Sequence, residues 1–330
     1  MGIHHHAASI LATQGLKGLF RRGAGKVLRT LTGRKHPEAL RREAEHQRIA
    51  EQTGRDIAEM NRHRSEYRAQ VERFNQQVRR RALGDVDGFY WYHTIDLGDG
   101  LVTPGDYDYR ERLSDYPFPT DMRGRTALDV GSATGFFAFE FERRGADVTS
   151  VELPSIADWD LIGSDRAVLL PELLQGHGKS SVAELDRAHV HGPFEFCHRL
   201  RGSRVRRCLS RIYDLTPEKL GRDRFDFVFL GDVLGHLFSP LAALNALAPL
   251  CSRELVISID LLETPHAVLG YGGGEERQTD GRSWFRPNWE ALRQMLRRVG
   301  FKKVERVGQS HVVVRRAWQR MKRDLIRAEK

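Results

Sequence analysis

One segment of 28 residues, TALDVGSATGFFAFEFERRGADVTSVEL, spaces two carboxylates and two glycines in a way that can hold a ligand. It reads as a buried strand, Ala127–Val130, a turn containing Gly131, Ser132, Ala133 and Gly135, a helix, and a second strand, Val148–Glu152, followed by Leu153. A ligand at the carboxyl ends of parallel strands sits above the first turn, where a missing side chain lets backbone approach it closely. Asp129 stands near the end of the first strand. Glu152 ends the second, where a carboxylate can accept both hydroxyls of a ribose. The turn spells D-x-G-x-x-x-G; a pyrophosphate-binding turn would spell G-x-G-x-x-G, and Ala133 stands where its middle glycine would be. That spacing suits a nucleoside with a short amino-acid tail, S-adenosylmethionine, with S-adenosylhomocysteine as product. A nicotinamide or flavin enzyme is the alternative. Taken alone, the glycines would equally serve a tight strand-to-helix turn with no ligand.

Methyl transfer from a sulfonium is an in-line displacement on an activated carbon, so positioning supplies much of the catalysis. A base is needed only where the acceptor must lose a proton. The stretch GDVLGHLFSP follows a later strand and offers Gly231 to the cofactor and Asp232 and His236 to the chemistry. His236 can take a proton from a hydroxyl near neutral pH, or can simply cap the next helix. Trp91, Tyr92 and His93 precede the first strand, where they can fold over the cofactor and exclude water, or glue the N-terminal helix to the domain. His93 is the second candidate base. Tyr213 and Asp214 end a further strand, where they can meet an adenine. Asp158, Trp159 and Asp160 compete for that role. The glycine-rich stretch 266–285 reads as a mobile substrate loop, with Tyr271 in it and Trp284, Arg286 and Asn288 at its far edge.

These residues need a scaffold of strands separated by helices, which the chain supplies after Gly84. Strands are expected at Ala127–Val130, Val148–Glu152, Val205–Tyr213, Phe225–Leu230, Leu255–Ile259, Val304–Val307 and His311–Val314. Helices are expected at Phe137–Arg144, Phe194–Arg199, Pro240–Leu247 and Asn288–Val299, with 160–192 as an irregular insertion near the ligand edge.

On these motifs the chain resembles the class I S-adenosylmethionine-dependent methyltransferases over residues 85–316. DVGSATG matches the family's cofactor turn with one glycine lost, and SVEL its ribose-binding strand end. RFDFVFLGDVLGHLFSPLAAL matches its fourth strand with the loop beside the transferred methyl, and WFRPNWEALRQMLRRVGFKKVE its last helix and strand. The resemblance implies an α/β Rossmann-like fold: a seven-stranded sheet with helices on both faces, strand order 3-2-1-4-5-7-6 and a reversed last strand. Within the family, WYHTIDLGDGLVTPGDYD and VLGHLFSPL resemble the branch that modifies the wobble uridine of tRNA. Gly235 stands where the carboxymethyl enzymes of that branch have Tyr, Gly231 where they have Met, and their cofactor-carboxylate Lys has no counterpart. Ordinary S-adenosylmethionine is therefore the cofactor expected. The acceptor expected is an oxygen of a small, sugar-like molecule, with tRNA, or a non-catalytic cofactor-binding scaffold, as alternatives.

Charge divides the chain. Residues 1–83 hold 18 of the 53 Lys and Arg but 8 of the 44 Asp and Glu, so the catalytic region, 84–330, is nearly neutral. A phosphate-gripping face needs massed Lys and Arg, which weakens an RNA reading of that region. Residues 1–36 form a basic arm whose stretch 9–31 is amphipathic enough to touch an anionic membrane. The run His4, His5 and His6 reads as a tag remnant or chance. Residues 37–83 read as a long helix, with Met60, Tyr67 and Phe74, and Ile57, Val71 and Val78, on a seven-residue seam interrupted by Arg64. Such a seam suffices for a short coiled coil, and so a homodimer, or for docking along the domain. Three cysteines without C-x-x-C spacing suggest neither disulfides nor zinc, and no His, Cys and carboxylate cluster has metal-ligand spacing. With no apolar run near the roughly 20 residues that span a bilayer, a cytoplasmic protein is expected.

Overall fold

The computed structural model describes residues 37–274 and 283–330. The basic arm, the histidine run and most of the charged part of the 266–285 loop lie outside the described residues. Chain contacts divide the protein into 1–57 and a compact unit, 58–330. No helix among the described residues is long and apolar enough to cross a membrane.

A long helix, α1 (Pro37–Arg80), leads into a seven-stranded sheet. The strands are β1 (Thr126–Val130), β2 (Asp147–Glu152), β3 (Arg206–Leu209), β4 (Phe225–Gly231), β5 (Cys251–Ile259), β8 (Lys303–Val314) and β9 (Gln319–Glu329). They lie in the order β3-β2-β1-β4-β5-β9-β8, with β9 antiparallel to both neighbours. This is the doubly wound order expected from the family resemblance, but its last two strands are not those expected. Val304–Val307 and His311–Val314 belong to the single strand β8, whose register shifts between Arg306 and Gly308. The reversed strand is β9, which the charged sequence QRMKRDLIRAE concealed, because Leu325, Ile326 and Ala328 are buried while the residues between and around them carry charge.

Strand side chains alternate between two faces, and the faces differ in kind. On one, Phe227 and Phe229 of β4 pack with α2 (Phe136–Arg143), whose Phe136, Phe137, Phe139 and Phe141 are all buried. This helix is apolar almost all round because the segment 90–118 covers it from outside. Its buried Glu140 is paired with Arg143 and Arg144, both at 2.7 Å. On the other face, Leu128, Val228, Leu230 and Ile257 pack against α7 (Pro240–Leu247) and α8 (Trp289–Arg298).

The insertion expected to be irregular is largely helical, with α3 (Gly163–Gly176), α4 (Val182–Asp186) and a π-turn over Arg187–His191, and the helix expected at Phe194–Arg199 follows as α5 (Gly192–Leu200). Ser181 caps α4 by accepting the Glu184 N–H, a start signal that Pro171, Gly176 and Gly178 outweigh in the composition. Strand β3 is shorter than expected, and Ile212–Asp214 form a 3-10 turn. The short helix α6 (Pro217–Leu220) then leads to β4. In the glycine-rich stretch, β6 (Leu269–Tyr271) and β7 (Phe285–Pro287) pair as an antiparallel ribbon.

The seam of α1 docks on the domain at its C-terminal end. Phe74 and Val78 are buried, Phe74 edge-on to Trp91 and Phe196, and the Tyr67 hydroxyl donates to the Pro104 carbonyl at 3.1 Å. Removing a buried Phe side chain costs about 3–5 kcal/mol through lost transfer energy and the cavity left behind. Phe74→Ala should therefore lower the unfolding free energy by that order in denaturant melts, whereas Arg73→Ala on the exposed face should change it by less than about 0.5 kcal/mol. Equal effects would mean that the helix does not dock.

Candidate active site

The turn after β1 is built from left-handed residues: Gly131 at φ 77°, Ala133 at 46° and Gly135 at 91°. A Cβ on Gly131 would meet Val233 at 2.4 Å, and one on Gly135 would meet the rings of Phe139 and Phe194 at 2.7 and 2.9 Å, so both positions need glycine. Ala133 has no such excuse and is held by its partners. Its N–H donates to Glu152 Oε2 at 2.7 Å, while Glu152 Oε1 accepts the Leu153 N–H at 2.9 Å. Gly131 and Ser132 both donate to the Val151 carbonyl, and the Ser132 and Ser150 hydroxyls meet at 2.8 Å. The turn is thus tied along its length to β2, its parallel neighbour.

Asp129 is buried beneath the turn. The Ala138 N–H near the start of α2 favours its charged form, and Oδ2 has no partner among the described residues. Burial pushes its carboxyl up to about 7, with Glu152 adding to the rise and Arg207 opposing it.

At the end of β4, Gly231 leads into Asp232, itself left-handed at φ 56°, and into a 3-10 turn, Leu234–His236. The Asp232 N–H donates to Ser258 at the end of β5, and its carboxylate is paired with Arg323 of β9. Burial raises the Asp232 pKa against the opposing pull of Arg323, and His236 is close enough to add to that pull. His236 is exposed. A wall of phenols, Tyr92, Tyr107, Tyr109 and Tyr116, lies near the Asp232 carboxylate, and Tyr92 and Tyr107 stack at 4.5 Å.

Several expected roles change. His93 is no base: its ring is buried among Tyr92, Tyr109, Phe136 and Phe137, and burial pushes its pKa down to about 3. Its backbone N–H donates to the Thr134 hydroxyl of the turn after β1 at 3.0 Å. Trp91 is buried against Phe74, Phe89 and Phe196 and glues α1 to the domain. Asp160, offered as a neighbour of adenosine, is a structural hub instead. Its carboxylate meets Arg211 at 2.6 Å, the Tyr213 hydroxyl at 2.5 Å and the Phe238 N–H at 2.7 Å. That hydrogen bond commits the Tyr213 hydroxyl away from a nucleoside, and Asp214 is exposed beside it.

Trp284 is also buried. Its indole donates to the Asp160 carbonyl at 2.6 Å and its backbone N–H to the Gly235 carbonyl at 2.8 Å, so one residue, directly before β7, joins the insertion to the loop after β4. Trp159 packs half-buried in the same layer. A Cβ on Gly235 would sit 3.2 Å from the Phe285 carbonyl, so an aromatic side chain there would have to displace the ribbon. Tyr271 is 63% exposed, Arg286 is exposed and paired with Asp260 at 2.9 Å, and Asn288 caps α8. Sequence reasoning missed Arg207 and Arg323, because an arginine in a charged strand carries no signal of the carboxylate it will face.

A family model described as a methyltransferase domain matches residues 105–306. The tRNA U34 carboxymethyltransferase of Pseudomonas fluorescens (strain Pf0-1) is 30% identical over 199 residues, which are 59% of this chain and 51% of that protein. The chain thus spans about half the length of that relative. Among solved structures, a 1,6-didemethyltoxoflavin-N1-methyltransferase from Burkholderia thailandensis is 19% identical with a TM-score of 0.40, over 63% of this chain and 72% of the other. A magnesium protoporphyrin IX methyltransferase from Synechocystis PCC 6803 is 16% identical with a TM-score of 0.39, over 63% and 75%.

The burial of Asp129 has a measurable consequence. A carboxyl raised from 3.8 to about 7 contributes fully to stability below its unfolded value and loses that contribution as pH rises through its folded one. Asp129→Asn keeps the size and a carbonyl oxygen at the site without the charge. Thermal melts should show the variant gaining on wild type between about pH 4 and 7 and holding a constant lead above, by up to roughly 4 kcal/mol. Parallel curves across that range would contradict the assignment.

Proposed function

The chain belongs to the methyltransferase-domain family, and from that premise we propose that it transfers the methyl group of S-adenosylmethionine to an oxygen of a small, sugar-like acceptor. The cofactor supplies an electrophilic carbon on a sulfonium. The residues present suit it. Each oxygen of Glu152 already accepts one backbone N–H and keeps a lone pair for a ribose hydroxyl. The unpartnered Oδ2 of Asp129 suits a donor such as the cofactor's ammonium group, directly or through a water. Gly131, Ser132, Ala133 and Gly135 bring backbone rather than side chain to that tail.

On the acceptor side, His236 takes the hydroxyl proton, and Asp232, its charge balanced by Arg323, stabilises the imidazolium that results. Tyr92 and Tyr107 border the space beside Asp232. The observation that carries the choice of acceptor is the character of the rim. Of the ten exposed large apolar residues among those described, seven lie on segments that follow β2, β4 and β5: Ile162 and Val168, Phe238 and Leu241, and Val268, Leu269 and Tyr271. Such side chains pack against the C–H face of a sugar ring or an apolar substituent, whereas an RNA backbone calls for Lys and Arg. A second reading, modification of the wobble uridine of tRNA, is favoured by the Pseudomonas fluorescens relative.

Calorimetric titration with S-adenosylmethionine should give binding that Glu152→Ala weakens about 100-fold, the loss of two hydrogen bonds to a charged group. Unchanged affinity in the variant would remove Glu152 from the site. Incubation with methyl-labelled cofactor and separated cell extract should then place label in the low-molecular-weight fraction. Label in tRNA, with affinity falling steeply as salt rises, would establish the second reading instead.

A further inference from the structure

We propose that Arg207 is the positioning residue of the cofactor turn: its guanidinium, held between the carbonyls of Ala133 and Val190, keeps Ala133 left-handed so that its N–H meets Glu152. The inference deepens the cofactor reading above and rests on it.

Arg207 lies on β3, in register with Ser150 of β2. Its guanidinium sits 3.9 Å over the ring of Phe194, the same ring that a Cβ on Gly135 would strike. From there Nη2 donates to the Val190 carbonyl at 2.9 Å and Nη1 to the Ala133 carbonyl at 3.4 Å, while Nε is sealed from solvent without a partner. Burial lowers its pKa to about 10, against the opposing pull of Glu152, Glu195 and Asp129. Taking a cation out of water is costly, and an apolar side chain would fill the same space over Phe194 without that cost. The position therefore uses what a leucine lacks, a charged planar fork able to reach two carbonyls on different segments.

Those segments are the π-turn of the insertion, which contains Val190, and the cofactor turn. At Ala133 the two charged groups act on opposite ends of one residue. The carboxylate of Glu152 takes its N–H and the guanidinium of Arg207 takes its C=O. An alanine at φ 46° is disfavoured by its own Cβ, and glycine is not. Arg207 thus does from outside what a glycine at this position would do by itself, and it makes the shape of the cofactor turn depend on the docking of the insertion.

The test is a double-mutant cycle on the full chain, with wild type, Arg207→Lys, Ala133→Gly and the double variant titrated with S-adenosylhomocysteine. Lysine keeps the charge and loses the fork. Arg207→Lys should weaken binding about tenfold or more in the wild-type background and less than about threefold in the Ala133→Gly background, because glycine holds the left-handed conformation unaided. Arg207→Gln, which keeps a donor without the charge, serves as a second variant and should follow the same pattern. Equal losses in both backgrounds would make Arg207 a packing residue and overturn the proposal, as would wild-type affinity in Arg207→Lys. Should the wild-type protein not bind S-adenosylhomocysteine, the cofactor reading falls, and ligand-free melting temperatures of the same four proteins judge the inference. A smaller cost of Arg207→Lys in the Ala133→Gly background supports it, and additive costs overturn it.

Discussion

The carboxylate of Glu152 holds two backbone N–H groups from different parts of the chain, Ala133 in the turn after β1 and Leu153 beyond its own strand. Because β1 and β2 are parallel neighbours in direct register, their carboxyl ends open side by side. The acidic end of one can therefore clamp the turn leaving the other. This hydrogen bond decides the path of the turn, and through the turn the start of α2 and the aromatic layer beneath it. Charge-assisted hydrogen bonds of this kind are among the stronger ones available to a protein. Here the bond is spent on a residue in a conformation that its side chain opposes.

The loop after β4 depends on an ion pair. Asp232 is left-handed and burial raises its pKa, and it is balanced by Arg323 from the reversed strand β9. Strand β9 reaches that point because it runs antiparallel to β5, pairing Asp324 with Ile259 at the strand end. A strand in the other direction would present the opposite end of its sequence there. The reversed strand thereby places a cation at the end of β4 as well as completing the sheet.

Above both halves lies a cover that belongs to neither strand set. Asp160 and Trp284 lock the insertion to β7 and to the loop after β4, and Gly235 lets the ribbon pass close to that loop. Among the described residues the cover leaves aliphatic and aromatic side chains at its edge. Its chemical character is therefore set by residues distant from one another in sequence. Local motifs on the cofactor side describe the ligand well, but the acceptor side is an assembly of parts.

By itself the sequence determined whatever local spacing controls. The strand, turn and helix around Asp129, Gly131, Gly135 and Glu152 were legible because buried strands and glycine turns write themselves into consecutive residues. So were the strand Phe225–Leu230 and the helix Pro240–Leu247. The tertiary structure decided the rest. It made the insertion helical through caps too weak to outweigh its Pro and Gly, and it fused two expected strands into β8. It also hid β9 among charged residues, since Leu325 on one face and Ile326 and Ala328 on the other are enough to join it to both cores. It turned His93 from a candidate base into a buried neutral ring, and it brought Arg207 and Arg323 to carboxylates that no spacing links to them. Burial and charge pairing across the sheet are properties of neighbours in space, and those neighbours exist only once the strands have taken their order.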